Sequence, residues 1–81
     1  MIAGKSVKVV PKKLFITHPG IRIDPSQNAS YSYVEEGTKG VVRSLSENRY
    51  EALIDLDLGY RGVLKIWVKR EWFGSLFEYV T

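Results

Sequence analysis

The chain of 81 residues contains no cysteine and a single histidine. Without cysteine, neither a disulfide bond nor a thiolate metal site can stabilise the fold. His18 lies in the turn-like sequence THPG without the further ligands that a zinc site needs, so we expect a solvated loop residue. There is no GxSxG elbow and no glycine-rich phosphate loop that opens a helix. These absences predict a protein that is not an enzyme and has no catalytic residue, metal or cofactor.

Long apolar runs and dense positive charge are also missing. No run approaches the roughly 20 apolar residues that a transmembrane helix needs. The N-terminal sequence MIAGKSVKVV lacks the apolar segment of a signal peptide, so we expect a cytoplasmic protein without a membrane partner. Twelve Lys and Arg against nine Asp and Glu give a formal net charge of +3. This mild excess permits an anionic partner without requiring one.

Alternation of apolar and polar residues with period two is the main pattern that the chain does have. It is clearest in residues 51–58 and 63–70, where the even positions up to Val68 are apolar. The i, i+3, i+4, i+7 spacing of an amphipathic helix is absent. We therefore predict β-strands with one buried and one exposed face. The length suits one small domain, residues 1–81.

The connection between these two strands is constrained by their shared parity. Directly opposed residues of an antiparallel hairpin point to the same face, so the turn must contain an odd number of residues. Residues 60–62 give the simplest three-residue loop, with its glycine in the left-handed position. This register places Leu56 opposite Ile66, and it places Asp57 opposite Lys65 as an exposed ion pair.

The remaining elements follow from weaker patterns. Further strands are predicted at residues 6–10, 37–45 and 76–80, with a single helical turn in REWFGS. The facing of 37–45 is ambiguous because either parity leaves Gly40 or Arg43 at a core position. Trp72 and Phe73 are expected to plug one end of the fold. Residues 11–36 form a connection long enough to be a functional loop, in which LFIT or IRI forms a short strand.

Together these elements predict an all-β fold, a five-stranded barrel that leaves few exposed edges. The long loop after residues 6–10, the EEGTKGVV bend at 35–42 and VKREWF ahead of FEYV resemble the SH3-like barrels. The resemblance covers nearly the whole chain. It implies five strands, a long first loop and one helical turn before the last strand.

Two narrower resemblances concern function. GTKGVV at 37–42 is similar to the glycine-containing core of KOW-type modules, which implies nucleic-acid binding. The VKV-type first strand and long early loop are similar to the variable chain of ferredoxin–thioredoxin reductase. That resemblance implies an accessory chain whose partner holds the metal cluster and redox cysteines. Neither carries functional residues across to this sequence.

Trp67 is the first candidate binding residue, on the polar side of the 63–70 strand between Lys65 and Lys69. Three interpretations stay open. The indole stacks on a base while the lysines neutralise phosphates, it is buried beneath the 11–36 loop, or it anchors a protein interface. Two aspartates share this face and weaken the nucleic-acid interpretation.

A second candidate cluster interleaves cations and aromatic rings along the long loop. We expect a non-enzymatic binding module or accessory subunit that docks on a protein partner through this loop and the strand face of Trp67. The alternative is a nucleic-acid-binding, KOW-like module with cations on phosphates and rings on bases. Both assign the same binding residues: Trp67, Lys65, Lys69, Lys12, Lys13, Arg22, Tyr31 and Tyr33.

Overall fold

The computed structural model of the chain describes residues 1–27 and 31–80. Its elements are β1 (Ser6–Val9), β2 (Lys13–Phe15), β3 (Ile21–Ile23), β4 (Tyr33–Glu35), β5 (Lys39–Leu45), β6 (Glu51–Asp57), β7 (Val63–Lys69), α1 (Arg70–Leu76) and β8 (Phe77–Tyr79). This mostly β structure with one short helix confirms the coarse prediction. Across the described ranges, no helix has the length and apolar character needed to cross a membrane.

Strand number and closure differ from the prediction. Six strands form an antiparallel sheet in the order β3-β7-β6-β5-β1-β8, and β2 pairs with β4 in a second sheet. The structure therefore does not show the predicted closed barrel of five strands. No pairing joins β3 to β8 within the described ranges, so the sheet is not closed. The extra strands β2, β3 and β4 all come from the long loop. IRI forms β3 and LFIT overlaps β2, so both proposed segments contain strand. β4 was not predicted, because a strand of three residues shows too little alternation.

The turn between β6 and β7 has the predicted odd length but begins one residue earlier. It is a 3-10 turn, Gly59–Arg61, closed by a hydrogen bond from the Leu58 N–H to the Gly62 C=O (2.9 Å). Gly59 and Gly62 have φ of +67° and +94°, which glycine adopts without steric cost. The Asp57 carboxylate accepts a hydrogen bond from the Gly59 N–H (2.8 Å) and starts the turn there.

The earlier turn moves the hairpin register by two residues. Asp55 lies opposite Lys65 and Asp57 lies opposite Val63, so the predicted pairing of Asp57 with Lys65 is wrong. Each residue still points to the predicted side of the sheet, because side chains alternate with period two and a shift of two residues leaves that alternation unchanged. The fully buried row of β7 is Leu64, Ile66 and Val68.

A β-bulge resolves the ambiguous facing of β5. The register against β6 shifts between Val42 and Ser44 and leaves Arg43 as the extra residue. Gly40 and Val42 are buried before the bulge, whereas Leu45 packs against the core after it. A Cβ at Gly40 would lie 2.8 Å from a carbonyl oxygen of β6, so the close approach of these strands requires glycine.

The inward side chains of both sheets and α1 form one hydrophobic cluster. Its buried members are Val7, Val9, Leu14, Ile21, Val34, Val42, Ala52, Ile54, Leu56, Leu64, Ile66, Val68, Phe73, Leu76 and Phe77. Leu14 and Val34 carry the two-stranded sheet into this cluster. The β2–β4 sheet is thus fixed to the core through one face only.

The aromatic residues of α1 divide between core and surface. Phe73 is buried, as predicted, but Trp72 remains 37% exposed. Trp72 instead covers Gly20, where an added Cβ would overlap the indole. The His18 ring packs edge-on against Trp72 with centroids 4.7 Å apart, and its Nδ1 accepts from the Gly20 N–H (2.9 Å). His18 is therefore a half-buried packing residue rather than the solvated residue expected.

Candidate interaction surfaces

The predicted binding residues fall on two surfaces. The Trp67 face, the outer side of β3, β7 and β6, contains Arg22, Lys65, Trp67 and Lys69 together with Glu51, Leu53 and Asp55. The β2–β4 face contains Lys13, Phe15, Tyr33 and Glu35, flanked by Tyr31 and Arg61. Lys12 precedes β2 and by alternation lies on neither outer face. Sequence reasoning placed Arg22 with the loop cluster, whereas β3 brings it beside Trp67.

Trp67 points away from the buried aliphatic row of β7, as the alternation predicted, and is half-buried. Its Nε1–H donates a hydrogen bond to the Asp24 carboxylate (2.7 Å). The Arg22 guanidinium lies over the ring, 5.2 Å from the centroid. Residues of the long loop therefore cover the indole of Trp67, as one interpretation predicted. The covering residues are Arg22 and Asp24, however, and not the apolar residues of the loop. The polar atom of the indole is satisfied and one ring face is occupied.

Charges on the Trp67 face are compensated. Arg22 forms two hydrogen bonds with Glu51, from Nε to Oε2 and from Nη2 to Oε1, both 3.2 Å long. The Arg43 Nε lies 2.7 Å from the Asp55 Oδ2. Lys65 and Lys69 stand directly opposite Asp55 and Glu51 in the ladder. Interspersed charges of both signs produce little net potential for a phosphate backbone.

Asp24 is held in its ionised form. Hydrogen bonds from the Ser26 hydroxyl, from the Trp67 indole and from the Ser26 backbone N–H lower its pKa below the ordinary 3.8. Donors to a carboxylate favour the charged state, which lowers the pKa. The anion joins the loop after β3 to the outer face of β7, so the contact is structural.

The β2–β4 face has a different character. Phe15 lies directly opposite Tyr33, with ring centroids 6.0 Å apart, and is 52% exposed. The Lys13 ammonium lies 4.7 Å from the centroid of the Tyr33 ring. The neighbouring positions Leu14 and Val34 point into the core. An exposed aromatic ring, a half-buried one and an exposed cation are thus held on a backbone anchored from behind.

Tyr31 and Arg61 extend this face beyond β4. The Tyr31 hydroxyl donates to the Arg61 C=O (3.1 Å), and the Arg61 guanidinium lies 5.2 Å from the Tyr31 ring centroid. These two residues, with Ser32, Tyr33 and Glu35, line a cavity of about 240 Å³. Phe15 and Arg61 were missed by sequence reasoning. Alternation in LFIT could have indicated Phe15, because a buried Leu14 turns the next side chain outward. No sequence pattern relates Arg61 to Tyr31, which lies 30 residues earlier.

A larger groove of about 500 Å³ crosses the outer side of β1, β5 and β6. Its walls hold Val41, Val63 and Val80 with two cations and two carboxylates: Lys39, Arg43, Asp55 and Asp57. The Asp55 Oδ1 has no hydrogen-bond partner, but it is sealed from solvent and so unreachable for a ligand. Residues 1–27 and 31–80 contain no group of three His, Cys, Asp or Glu side chains suited to a metal ion.

Comparison of the chain with protein-family models, curated proteins and solved structures found no match. Function is therefore inferred from the chemistry of the two faces. On the Trp67 face the indole and the Arg22 guanidinium have partners within the chain, whereas the β2–β4 face exposes the Phe15 ring and Lys13 to solvent.

Proposed function

We propose that the protein is a non-enzymatic binding module, or accessory subunit, that docks on a protein partner through the β2–β4 face. The observation that carries the proposal is the exposed ring of Phe15 beside Tyr33, with Lys13 over the latter ring. Aromatic residues are enriched at protein interfaces and supply most of their binding energy. Charged groups at the rim act mainly on orientation and association rate.

The anchoring of the β2–β4 sheet supports this role. Leu14 and Val34 are almost completely buried, so the rings on the opposite face are held by a backbone that is already ordered. A preordered surface loses less conformational entropy on binding. The Trp67 face, which the sequence favoured equally, is a weaker candidate because its indole and its Arg22 guanidinium already have partners within the chain, and because Lys65 and Lys69 lie opposite carboxylates in the ladder.

We also propose that the chain has an SH3-like arrangement. Support comes from the order β7-β6-β5-β1-β8, from the long connection between β1 and β5, and from the helical turn before β8. The β2–β4 sheet is then an elaboration of the first loop. Such an architecture hosts many functions, so the ligand class follows from the face and not from the fold.

Panning of a displayed random-peptide library tests the docking proposal. We expect peptides enriched on the wild-type protein to bind Phe15→Ser at least about tenfold more weakly, a loss of about 1.4 kcal/mol. Tyr60→Ser is the matched control, because Tyr60 is a fully exposed aromatic residue outside the face. Absence of enrichment, or equal binding to Phe15→Ser, would overturn the proposal.

Nucleic-acid binding in the KOW manner is the second candidate, favoured by the net charge of +3 and by the adjacent Lys12 and Lys13. Fluorescence anisotropy with mixed-sequence oligonucleotides at low and moderate salt separates it from protein docking. Phosphate contacts would give binding that weakens steeply with salt and is lost in a Lys12→Glu, Lys13→Glu variant. We expect no binding even at low salt.

A further inference from the structure

The outward edge of β4 has open backbone groups. Hydrogen bonds in the β2–β4 ladder join even-numbered residues, with the Ile16 N–H donating to the Ser32 C=O (3.1 Å) and the Glu36 N–H donating to the Lys12 C=O (3.0 Å). In an antiparallel pair these positions alternate with residues whose N–H and C=O groups point the other way. The odd-numbered residues of β4 therefore turn their backbone groups away from β2.

Two residues provide these groups. Tyr33 directs both its N–H and its C=O outward, and Glu35 directs its N–H outward. The Glu35 C=O is already used, since it accepts from the Thr38 N–H (3.2 Å) and from the Thr38 hydroxyl (2.7 Å). Within the described ranges the other three groups have no backbone partner. An added strand can therefore form both hydrogen bonds of the pair opposite Tyr33, but only one of the two opposite Glu35.

Residues of this edge also line a cavity. Its volume is about 240 Å³, and its lining consists of Tyr33 and Glu35 of β4 with Tyr31, Ser32 and Arg61. A paired strand lies about 4.8 Å from its neighbour. By contrast, the edge of β7 is covered by the chain's own β3, from Ile21–Val68 to Ile23–Ile66. The edge of β4 is not covered in this way by a described strand.

The side chains along the edge define what the added strand should carry. Arg61 makes no ion pair with any described residue, and it marks the Tyr31 end of the cavity as basic. Glu35 makes the other end acidic, and Tyr33 lies between them. A complementary strand places an acidic residue near Arg61, an apolar or aromatic residue beside Tyr33 and a basic residue beside Glu35. Because antiparallel pairing is the more stable arrangement, the order is basic-x-aromatic-x-acidic.

We propose that the partner segment is an extended strand of this basic-x-aromatic-x-acidic pattern that adds to the free edge of β4 in antiparallel orientation. This inference rests on the proposed docking function and specifies its geometry. Main-chain hydrogen bonds supply affinity, and alternate side chains supply specificity. The aromatic side chain of the segment extends the ring pair of Phe15 and Tyr33 across a third strand.

A labelled peptide of sequence TKTFTET, capped at both ends, tests the inference by NMR titration and anisotropy. Its phenylalanine forms the hydrogen-bonded pair with Tyr33, so we expect the amide signals of Tyr33 and Glu35 to shift. N-methylation of that phenylalanine should weaken binding at least about tenfold. N-methylation of the threonine before it, whose N–H points away from β4, should change affinity less than about twofold.

Charge reversal tests the register independently. Arg61→Glu should weaken TKTFTET and restore binding to TKTFTKT, whereas the matched change Arg49→Glu, in a turn on another part of the surface, should do neither. If both N-methylated peptides bind as tightly as TKTFTET, and only side-chain signals shift, the edge pairing would be overturned while docking on the face would stand. No binding of TKTFTET at about 1 mM, with library peptides still sensitive to Phe15→Ser, would also overturn it alone. Failure of the library as well would overturn both proposals.

Discussion

The Trp67 face and the β2–β4 face have similar compositions but differ in how far their polar and charged groups are bonded within the chain. Each combines aromatic rings with cations on the outer side of a sheet. On the Trp67 face the indole N–H is bonded to Asp24 and the Arg22 guanidinium is bonded to Glu51. On the β2–β4 face Lys13 contacts a ring and forms no ion pair with a described residue. Composition alone therefore does not identify a binding surface, because the intramolecular partners decide which groups remain free.

The largest effect that separates the two faces is expected for Trp67→Ala. Loss of a half-buried indole with its hydrogen bond should lower the free energy of unfolding by about 2–3 kcal/mol, near the low end for large core deletions. Urea denaturation followed by circular dichroism measures it. The exposed Trp72→Ala should cost less. Unchanged stability with loss of peptide binding would reverse the roles assigned to the two faces.

Acid should weaken the Trp67 face through Asp24. Because its folded pKa lies below the ordinary 3.8, its stabilising contribution is complete above 3.8 and is lost as pH falls through the folded pKa. Urea midpoints measured from about pH 5 to about pH 2 should fall less steeply in Asp24→Asn than in the wild type. In Trp67→Phe, which lacks the indole donor, the folded pKa of Asp24 should lie closer to 3.8, so the loss should be smaller and complete at a higher pH. An Asp24→Asn curve parallel to that of the wild type would contradict the assignment.

A smaller effect is expected for the ion pair between Arg22 and Glu51. The pair is partly exposed, so a double-mutant cycle with Arg22→Met and Glu51→Gln should give a coupling free energy below about 1 kcal/mol. The coupling should shrink further in high salt. A coupling above about 2 kcal/mol would mean that the pair, rather than the indole, fixes β3 to the sheet.

The smallest change in stability is expected for Phe15→Ser. Its ring is half exposed, and surface substitutions outside special features usually change stability by less than about 0.5 kcal/mol. Thermal unfolding of this variant beside the wild type provides the measurement. A large loss would show that the ring stabilises the β2–β4 sheet, and the comparison between the faces would then fail.

The long strands could be predicted from sequence because alternation over seven residues determines facing. β6 and β7 were recognised in this way, and parity fixed the odd length of their turn. The register could not be fixed, because a shift of two residues leaves every residue on the same face. Its value depended on where the turn begins, which the bond between Asp57 and Gly59 sets locally. The bulge at Arg43 was visible only as an ambiguity.

The two candidate faces were less accessible to sequence reasoning because each is assembled from residues far apart in the chain. The outward direction of Trp67 followed from parity, but its hydrogen-bond partner Asp24 lies 43 residues earlier. Arg22 could be placed beside Trp67 only once β3 was known to pair with β7. The length of the loop pointed to it as a region of interest, but the division of its residues between two faces required the topology.

The strand contributed by the long loop limits how this protein could be re-engineered. β3 covers the edge of β7, and an uncovered edge of this kind is a template for pairing between molecules. Grafting a foreign recognition sequence in place of the entire loop would therefore remove the strand that covers the edge of β7. Designs that retain Ile21–Ile23 should stay monodisperse, whereas complete replacements should be prone to fibril-like aggregation.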